Sequence, residues 1–538
     1  MGCRIQLRVL LVTFLVAAAS AYCIPDDECW PSHDEINSFG NTLMGGIYFQ
    51  GESVYDQYVK TKNGRVEKHP VFLVLVQTTA DVQKSVRFAR KFNISLAIQS
   101  SGHGFIGRST CDDCMQINLG AMKEITFDLF SQRNQDGEIT VQSGCSWKDI
   151  YEEADTHGRV VLGGSAHTVS PGGYTLGGGH SPVSRSLGLA VDNVLEFEMV
   201  DVDGNLVKST AGGTDIKYEN GTTATSSDAD LFWALRGGGG GTFGVVTKFT
   251  FKLHQPPSQV VKFFCGYAMT YNKDVIGWNI MKTFTGLIEK MPSKWGGYMI
   301  LVGVPVTAEI FGPILFVLNH YGALTEEDKT YLEPIYSQCP NYTFTEYDTF
   351  YAYEETITDE EFTWMYIFNT FMSANNFTDE WLKFVFNEMG TRYSTGAAFA
   401  CTGALIGGKV KEVGTKETAV HPAFRSSDVS LTCGLSWPED SSKELNYYYG
   451  MEARKLGEKL QTFGNGVYMN EPAADLEHWQ QDFWGSNYDR LYEIKQKWDP
   501  DNFLTCRYCV GSGGSSSLQA AVAVVIAVNV FMTMMLKM

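Results

Sequence analysis

The sequence predicts an α+β protein of more than one domain. Three observations carry that reading. An apolar run at Val71–Val76, a helical pattern at Asp81–Phe92 and a second apolar run at Ile94–Ile98 have the lengths of a parallel strand–helix–strand unit. Glycine-dense segments then recur three times between Ser100 and Gly244. Beyond about Val260 glycine thins, and strand-like runs alternate with amphipathic helices, as in a sheet covered by helices. A chain of 538 residues, 44% hydrophobic, is long enough to bury more than one core.

The elements follow in order. Arg4 and Arg8 precede an apolar run, Val9–Ala18, that ends in Ala19-Ser20-Ala21. This is the pattern of a cleaved signal peptide, residues 1–21, with an uncleaved anchor as the alternative. Tyr22–Ile47 is polar, with Cys23 and Cys29 as staples. Val71–Val76 reads as a buried strand, and Asp81–Phe92 as a helix capped by Thr79 or Asp81, with Val82, Val86 and Ala89 on one face. The Ile94–Ile98 strand feeds the loop Gln99–Ser109, where three glycines and three serines surround His103 and Arg108. Glycine admits positive φ and close backbone approach. Successive N–H groups in such a turn form a nest for an anion such as a pyrophosphate. A tight structural loop is the alternative.

Met115–Leu119, Ile125–Asp128 and Ile139–Gln142 read as strands and Trp147–His157 as a helix. Seven glycines then fall within residues 163–179, a density that suits backbone lying against a flat or anionic ligand. Val194–Asp201 and Leu206–Lys208 form a hairpin through Asp203-Gly204. A short helix, Asp228–Leu235, precedes five glycines, Gly237–Gly241, and Phe243–Leu253 alternates up to Pro256-Pro257. These segments do not match Gly-x-Gly-x-x-Gly between a first strand and helix, which argues against a doubly wound dinucleotide fold. In the second region Tyr298–Val304, Ile314–Asn319 and Ala397–Leu405 read as strands, and Val275–Glu289, Asp379–Met389 and Ser441–Thr462 as helices; a mixed sheet is expected. Trp484–Pro500 is a helix stopped by Asp499-Pro500. Small residues at Gly511–Ser517 and an apolar tail, Leu518–Leu536, spell a GPI-anchor signal, with a single-pass tail anchor as the alternative.

Net charge is −19 and no basic stripe occurs, so nucleic acid is excluded as a partner. The sequons at Asn93, Asn220, Asn341 and Asn376 fit the secretory route. Of 12 cysteines Cys3 leaves with the leader, so an odd number remains, and Cys145 reads as a buried free thiol. Cys111-x-x-Cys114 and Cys506-x-x-Cys509 are read as disulfides outside the cell, in preference to a four-thiolate zinc site, and no metal is expected.

Five ordered segments together resemble the berberine-bridge-enzyme-like branch of the vanillyl-alcohol-oxidase flavoproteins. They are Ser100–Ser109, Gly172–Gly179, Gly188–Val194, Leu235–Gly244, and the tail from Tyr468-x-Asn470 through Trp484-Gly485 to Asp499-Pro-Asp-Asn-Phe503. The resemblance implies a PCMH-type FAD-binding domain of two α/β subdomains (residues 66–257), a substrate or cap domain (258–463), and a C-terminal segment returning to the FAD domain (464–511). Residues 512–538 would be the anchor signal.

The resemblance also implies site residues. His103 matches the histidine bonded covalently to the flavin 8α-methyl. Ser100, Ser101, Gly102, Gly104, Gly107 and Ser109 would cradle the cofactor with it. Gly172, Gly173, Gly177, Gly178, Val194, Gly244 and Asn470 would complete the cradle. Ala166 stands where some members carry a second, cysteine link, so single-point attachment is implied. Val169 matches a position before the flavin where a small residue admits oxygen. Glu471 occupies the position of a tyrosine base in several members, as in the fungal Tyr-x-Asn-Glu form. A carboxylate can accept a hydroxyl proton there, or it can be a structural acceptor. Tyr468 and His167 are further catalytic candidates. His180 more readily orders a loop, and Tyr174 either faces the flavin or packs.

The expected activity is that of an FAD-dependent oxidase. It would move a hydride from an alcohol, sugar or amine to flavin N5 and reduce O2 to H2O2. A dehydrogenase with another acceptor and a catalytically silent flavin-binding surface protein are the alternatives. The expected partners are a small-molecule substrate and oxygen, with membrane contact only through the C-terminal anchor. The expected location is extracellular and cell-surface anchored.

Overall fold

The computed structural model describes residues 22–270, 275–303, 310–357, 363–392 and 396–512. The leader at 1–21 and the tail from 513 onwards lie outside the described residues.

The first sheet holds β1 (Gly46–Phe49), β2 (Phe72–Leu75), β3 (Leu96–Gln99) and β4 (Met115–Asn118), in the order β1-β2-β4-β3. β2 and β3 both run parallel to β4, as the strand–helix–strand reading requires. The helix between β2 and β3, Thr79–Phe92, buries Val82, Ser85, Val86 and Ala89 against this sheet. Its N-cap is Thr78, one residue before the expected position, and the expected alternative, Asp81, completes a capping box. Asp81 is fully buried, and its carboxylate accepts from the N–H groups of Met44 (2.9 Å), Gln77 (3.1 Å) and Thr78 (3.2 Å). Asn93 ends the helix in the left-handed region at φ 52°. The His103 loop leaves the carboxyl end of β3, where open parallel sheets place their ligands.

The second sheet has seven strands: β5 (Ile125–Asp128), β6 (Glu138–Gln142), β7 (Val194–Val200), β8 (Leu206–Thr210), β9 (Gly213–Lys217), β10 (Thr223–Ser226) and β11 (Val245–Lys252). Their order is β10-β9-β8-β7-β11-β6-β5, and every pair is antiparallel. Short helices at Trp147–Thr156, Pro171–Leu176 and Asp230–Leu235 carry the apolar residues that close its core.

The cap sheet holds β12 (Val260–Thr270), β13 (Trp295–Gly303), β14 (Ile310–Tyr321), β15 (Asn341–Tyr347), β16 (Met365–Met372), β17 (Ala398–Leu405) and β18 (Val429–Ser436). Its order is β15-β12-β14-β13-β17-β18-β16. The expected mixed pairing gives way to antiparallel pairing throughout. The reason is geometric. Helix Val275–Ile288 links β12 to β13 and helix Asp379–Arg392 links β16 to β17, so the strands of each linked pair run the same way. In each case the following strand, β14 or β18, slots between them in the opposite sense.

Five disulfides join Cys23–Cys29, Cys111–Cys114, Cys265–Cys339, Cys401–Cys433 and Cys506–Cys509; Cys145 is free and buried. Both Cys-x-x-Cys pairs are thus disulfides. The C-terminal segment packs back on the N-terminal half of the chain. Trp484 Nε1 donates to the Gly237 carbonyl (2.9 Å). The buried Lys495 ammonium donates to the carbonyls of Thr242 and Leu504 (both 2.7 Å) and to Asp499 (2.5 Å). The tail helix is Tyr488–Trp498, after a separate turn of helix at Trp479–Trp484.

Candidate active site

A cavity of about 490 Å³ opens where the first two sheets, the third sheet and the tail meet. Its walls come from the loop 100–109, the segment 164–180, the glycine run at 240–244, β13 and β17 of the cap, and residues 468–472. A second cavity of about 270 Å³ continues from it past Ser100, Ser101, Lys62 and Ser170, and its walls include Lys60, Lys123 and Asn118. The larger space is mainly apolar and the smaller one polar and basic, as a long cofactor with a flat ring and a pyrophosphate requires.

The backbone is shaped for such a guest. Gly102 takes φ +74°, and a Cβ there would lie 2.4 Å from the Lys60 carbonyl. At Gly104, Gly173, Gly240 and Gly241 a Cβ would meet nothing closer than 3.6 Å, and all four face the cavity. Side chains there would fill the cradle. Ser109 Oγ and Arg108 Nε are buried polar atoms with no partner among the described residues. Arg108 donates to the Met469 carbonyl (3.3 Å), and burial pushes its guanidinium down to about 10. These donors and open glycines fit FAD.

His103 lines the cavity, with Nε2 2.9 Å from the Thr168 hydroxyl. Ser100, Ser101, Ala166, Val169, Gly172, Gly244 and Asn470 also line it. Four expected cradle residues stand behind the wall. Gly107 turns at φ +71° against Val66. Gly177 makes room for Asn470, whose Oδ1 would lie 2.2 Å from a Cβ there. Gly178 packs on Phe424, and Val194 is buried at the start of β7.

The candidate proton-transfer groups sit on the tail side. Glu471 Oε1 is 2.9 Å from His180 Nε2, and Oε2 accepts from the Thr432 hydroxyl of β18. Burial pushes the Glu471 carboxyl up, but the charge and hydrogen bond of His180 and the Thr432 hydroxyl hold it below the usual carboxylate range. His180 is therefore a partner of the candidate base as well as part of its loop. Tyr468 is buried, its hydroxyl accepting from Gly179 N (3.2 Å) and Asn470 Nδ2 (2.8 Å). Burial and Glu471 raise its pKa, so it serves here as an anchor for the backbone. Tyr174 lines the cavity, donates to the His180 carbonyl (2.7 Å) and meets Trp147 edge-on. His167 turns away from the cavity wall toward Glu354 of the cap, at 3.8 Å.

Lys62, Arg108, Tyr298, Thr402 and Thr432 were given no role from sequence. Arg108 stood inside the recognised loop and carried a signal. The cap residues stand singly in strands, where nothing marks them as facing a ligand.

Residues 70–210 match the FAD binding domain family, and residues 467–508 match the berberine and berberine-like family. The chain thus carries the FAD binding domain and the berberine-like segment that its motifs resemble. Relatives named FAD-linked oxidoreductases match nearly the whole length. FAD-linked oxidoreductase ZEB1 of Gibberella zeae is 27% identical over 94% of this chain and 95% of its own. The VAO-type flavoprotein oxidase VAO615 of Thermothelomyces thermophilus is 27% identical over 89% of this chain and 82% of its own. The VAO-type flavoprotein MtVAO713 from Myceliophthora thermophila superposes with a TM-score of 0.77 at 21% identity, over 91% of this chain and 97% of that one. A carbohydrate oxidase from Microdochium nivale superposes at 0.71 and 20% identity, over 88% and 99%. These likenesses support the α+β fold of FAD domain plus cap. With an FAD binding domain and full-length relatives of this kind, the chain is an FAD-linked oxidoreductase.

Proposed function

We propose that this FAD-linked oxidoreductase is an oxidase of small alcohols, sugars or amines, with Glu471 as the proton acceptor. The observation that carries the reading is the Glu471–His180 pair, which sits on the wall of the cavity that also holds His103. FAD, when bound, supplies the acceptor for the two electrons of the substrate C–H bond and their onward path to O2, which becomes H2O2. The protein supplies the rest. Glu471 is ionised at neutral pH and takes the proton of a substrate hydroxyl or amine. His180 and Thr432 fix the carboxylate so that no reorganisation is needed when the proton moves. Tyr298 and Thr402 of the cap face the same space and set what fits. His103 would hold the cofactor by a single covalent bond, since Ala166 offers no second link. Val169 leaves room for oxygen. A secreted, surface-anchored location rests on the leader and tail patterns alone.

The test starts with the absorbance spectrum of purified protein and acid precipitation. Yellow colour in the pellet supports the His103 bond, and His103→Ala moves it to the supernatant. Oxygen uptake is then followed with a panel of sugars, alcohols and amines. Glu471→Gln is expected to keep its colour and lose about 10²–10³-fold in kcat. Fast reduction followed by slow reoxidation in air would mark a dehydrogenase instead.

A further inference from the structure

Behind the cavity lies a second carboxylate–imidazole pair that the proposed reaction does not use. Glu354 ends the cap helix Phe350–Glu354 and is 0% exposed. Neither of its oxygens has a hydrogen-bond partner among the described residues, and the same is true of His167 Nε2. The two groups are 3.8 Å apart, at ion-pair range but beyond a direct hydrogen bond. Two isolated buried polar groups are costly, and one proton held on the pair lowers that cost, by neutralising the carboxyl or by making an ion pair.

Their place in the fold gives the pair a role. The segment Ser165–Val169 is a partition between cap and FAD domain. His167 faces the cap at Glu354, and Ser165 bonds the cap's Tyr298 hydroxyl (2.9 Å) on the cavity wall. Ala166 and Val169 face the cavity, and Thr168 holds His103 Nε2. The proton of the pair thus lies one residue from the group that positions His103. The other titratable groups around Glu354 are Tyr151 of the helix Trp147–Thr156, Tyr174 of the helix Pro171–Leu176, Tyr298 of β13 and Tyr353 of its own helix. All four are raised by burial and further by Glu354, so they stay neutral and none supplies a cation. Only His167 does.

We propose that Glu354 and His167 are a positioning pair that holds one proton at the seam between cap and FAD domain, and that its loss makes the wall behind Ser165–Val169 one charge more negative and the flavin harder to reduce. This rests on the reading of the cavity as an FAD site. Burial pushes the Glu354 carboxyl up to about 7, with His167 offsetting part of the shift, so the proton is held below neutrality and released above it. A negative charge in a low-dielectric wall opposes the arrival of electrons next to it.

Two measurements test it on the purified full-length protein. Infrared difference spectra between about pH 5.5 and about pH 8.5 are expected to show a protonated-carboxyl band. It should disappear on raising the pH, with a midpoint near 7, and be missing in Glu354→Gln. In His167→Asn the midpoint should move up, because the interaction that offsets the burial of Glu354 is gone. Reductive titration against reference dyes should show an additional downward step in flavin potential over the same pH range, absent in Glu354→Gln. A band that does not titrate, a midpoint unmoved in His167→Asn, or a potential step retained in Glu354→Gln overturns the proposal. Colourless but folded wild-type protein overturns the flavin reading and the potential step with it. The infrared band needs no flavin, so failure of the pair is seen separately.

Discussion

Gly173 faces the cavity, and nothing lies within 4 Å of where its Cβ would be. A side chain there is compatible with the fold but not with a guest. Gly173→Leu is expected to stay within about 1 kcal/mol of wild-type stability in urea and to lose most of its bound flavin. A yellow variant would show that the cofactor does not pass this point. At this scale the sequence is legible where one residue type is forced by backbone geometry. Gly102 and the open glycines announce themselves in that way, and His103 stands among them. Glu354 does not. It is one glutamate in an acidic stretch, and its isolation arises from helices and a strand distant in sequence. His180 read as a loop residue because its partner, Glu471, lies 291 positions away.

Elements were read more reliably than their directions. The helix Thr79–Phe92 was visible from its apolar spacing, yet its start depends on a side chain with several duties. Asp81 closes the capping box and satisfies three backbone N–H groups, those of Met44, Gln77 and Thr78. Asp81→Ala strands these donors in the interior and is expected to cost about 2–4 kcal/mol, measured by urea unfolding. A loss under about 1 kcal/mol would mean that water reaches them. The cap sheet shows where sequence reading stops. Periodicity marks β12, β13 and the helix between them, and their linkage sets them parallel. It carries no information that β14 will enter between them, because strand neighbours are chosen by packing across the whole sheet.

At the scale of the whole molecule, two buried histidines contribute to the response to acid. Burial, aided by Lys252, pushes His254 down to about 4, and burial pushes His421 down to about 4. Each is neutral and bonded in the fold, His254 Nε2 to Asn193 Oδ1 (2.7 Å) and His421 Nδ1 to the Ala423 N–H (2.9 Å). In the unfolded chain both take up protons near the ordinary imidazole value of about 6.5. Between about pH 6.5 and about pH 4 the unfolded state therefore binds more protons, and stability falls as pH falls. The two together are expected to remove on the order of 4 kcal/mol across that range. Urea midpoints measured at successive pH values check this, and His254→Gln should flatten the slope by about half. An unchanged slope would place the acid response in other groups.

The tail that closes the cavity has a consequence in time. Arg108 meets Met469 across 361 positions, and Lys495 locks the last helix onto Thr242. On a ribosome the glycine loops of the FAD domain are made first, and their remaining wall only after the entire cap has been synthesised. The three sheets can form as the chain emerges, but the chamber they surround stays open on one side until residues 465–512 arrive. A chain cut short before residue 465 is thus expected to carry the sheets but to lack one wall of its flavin site.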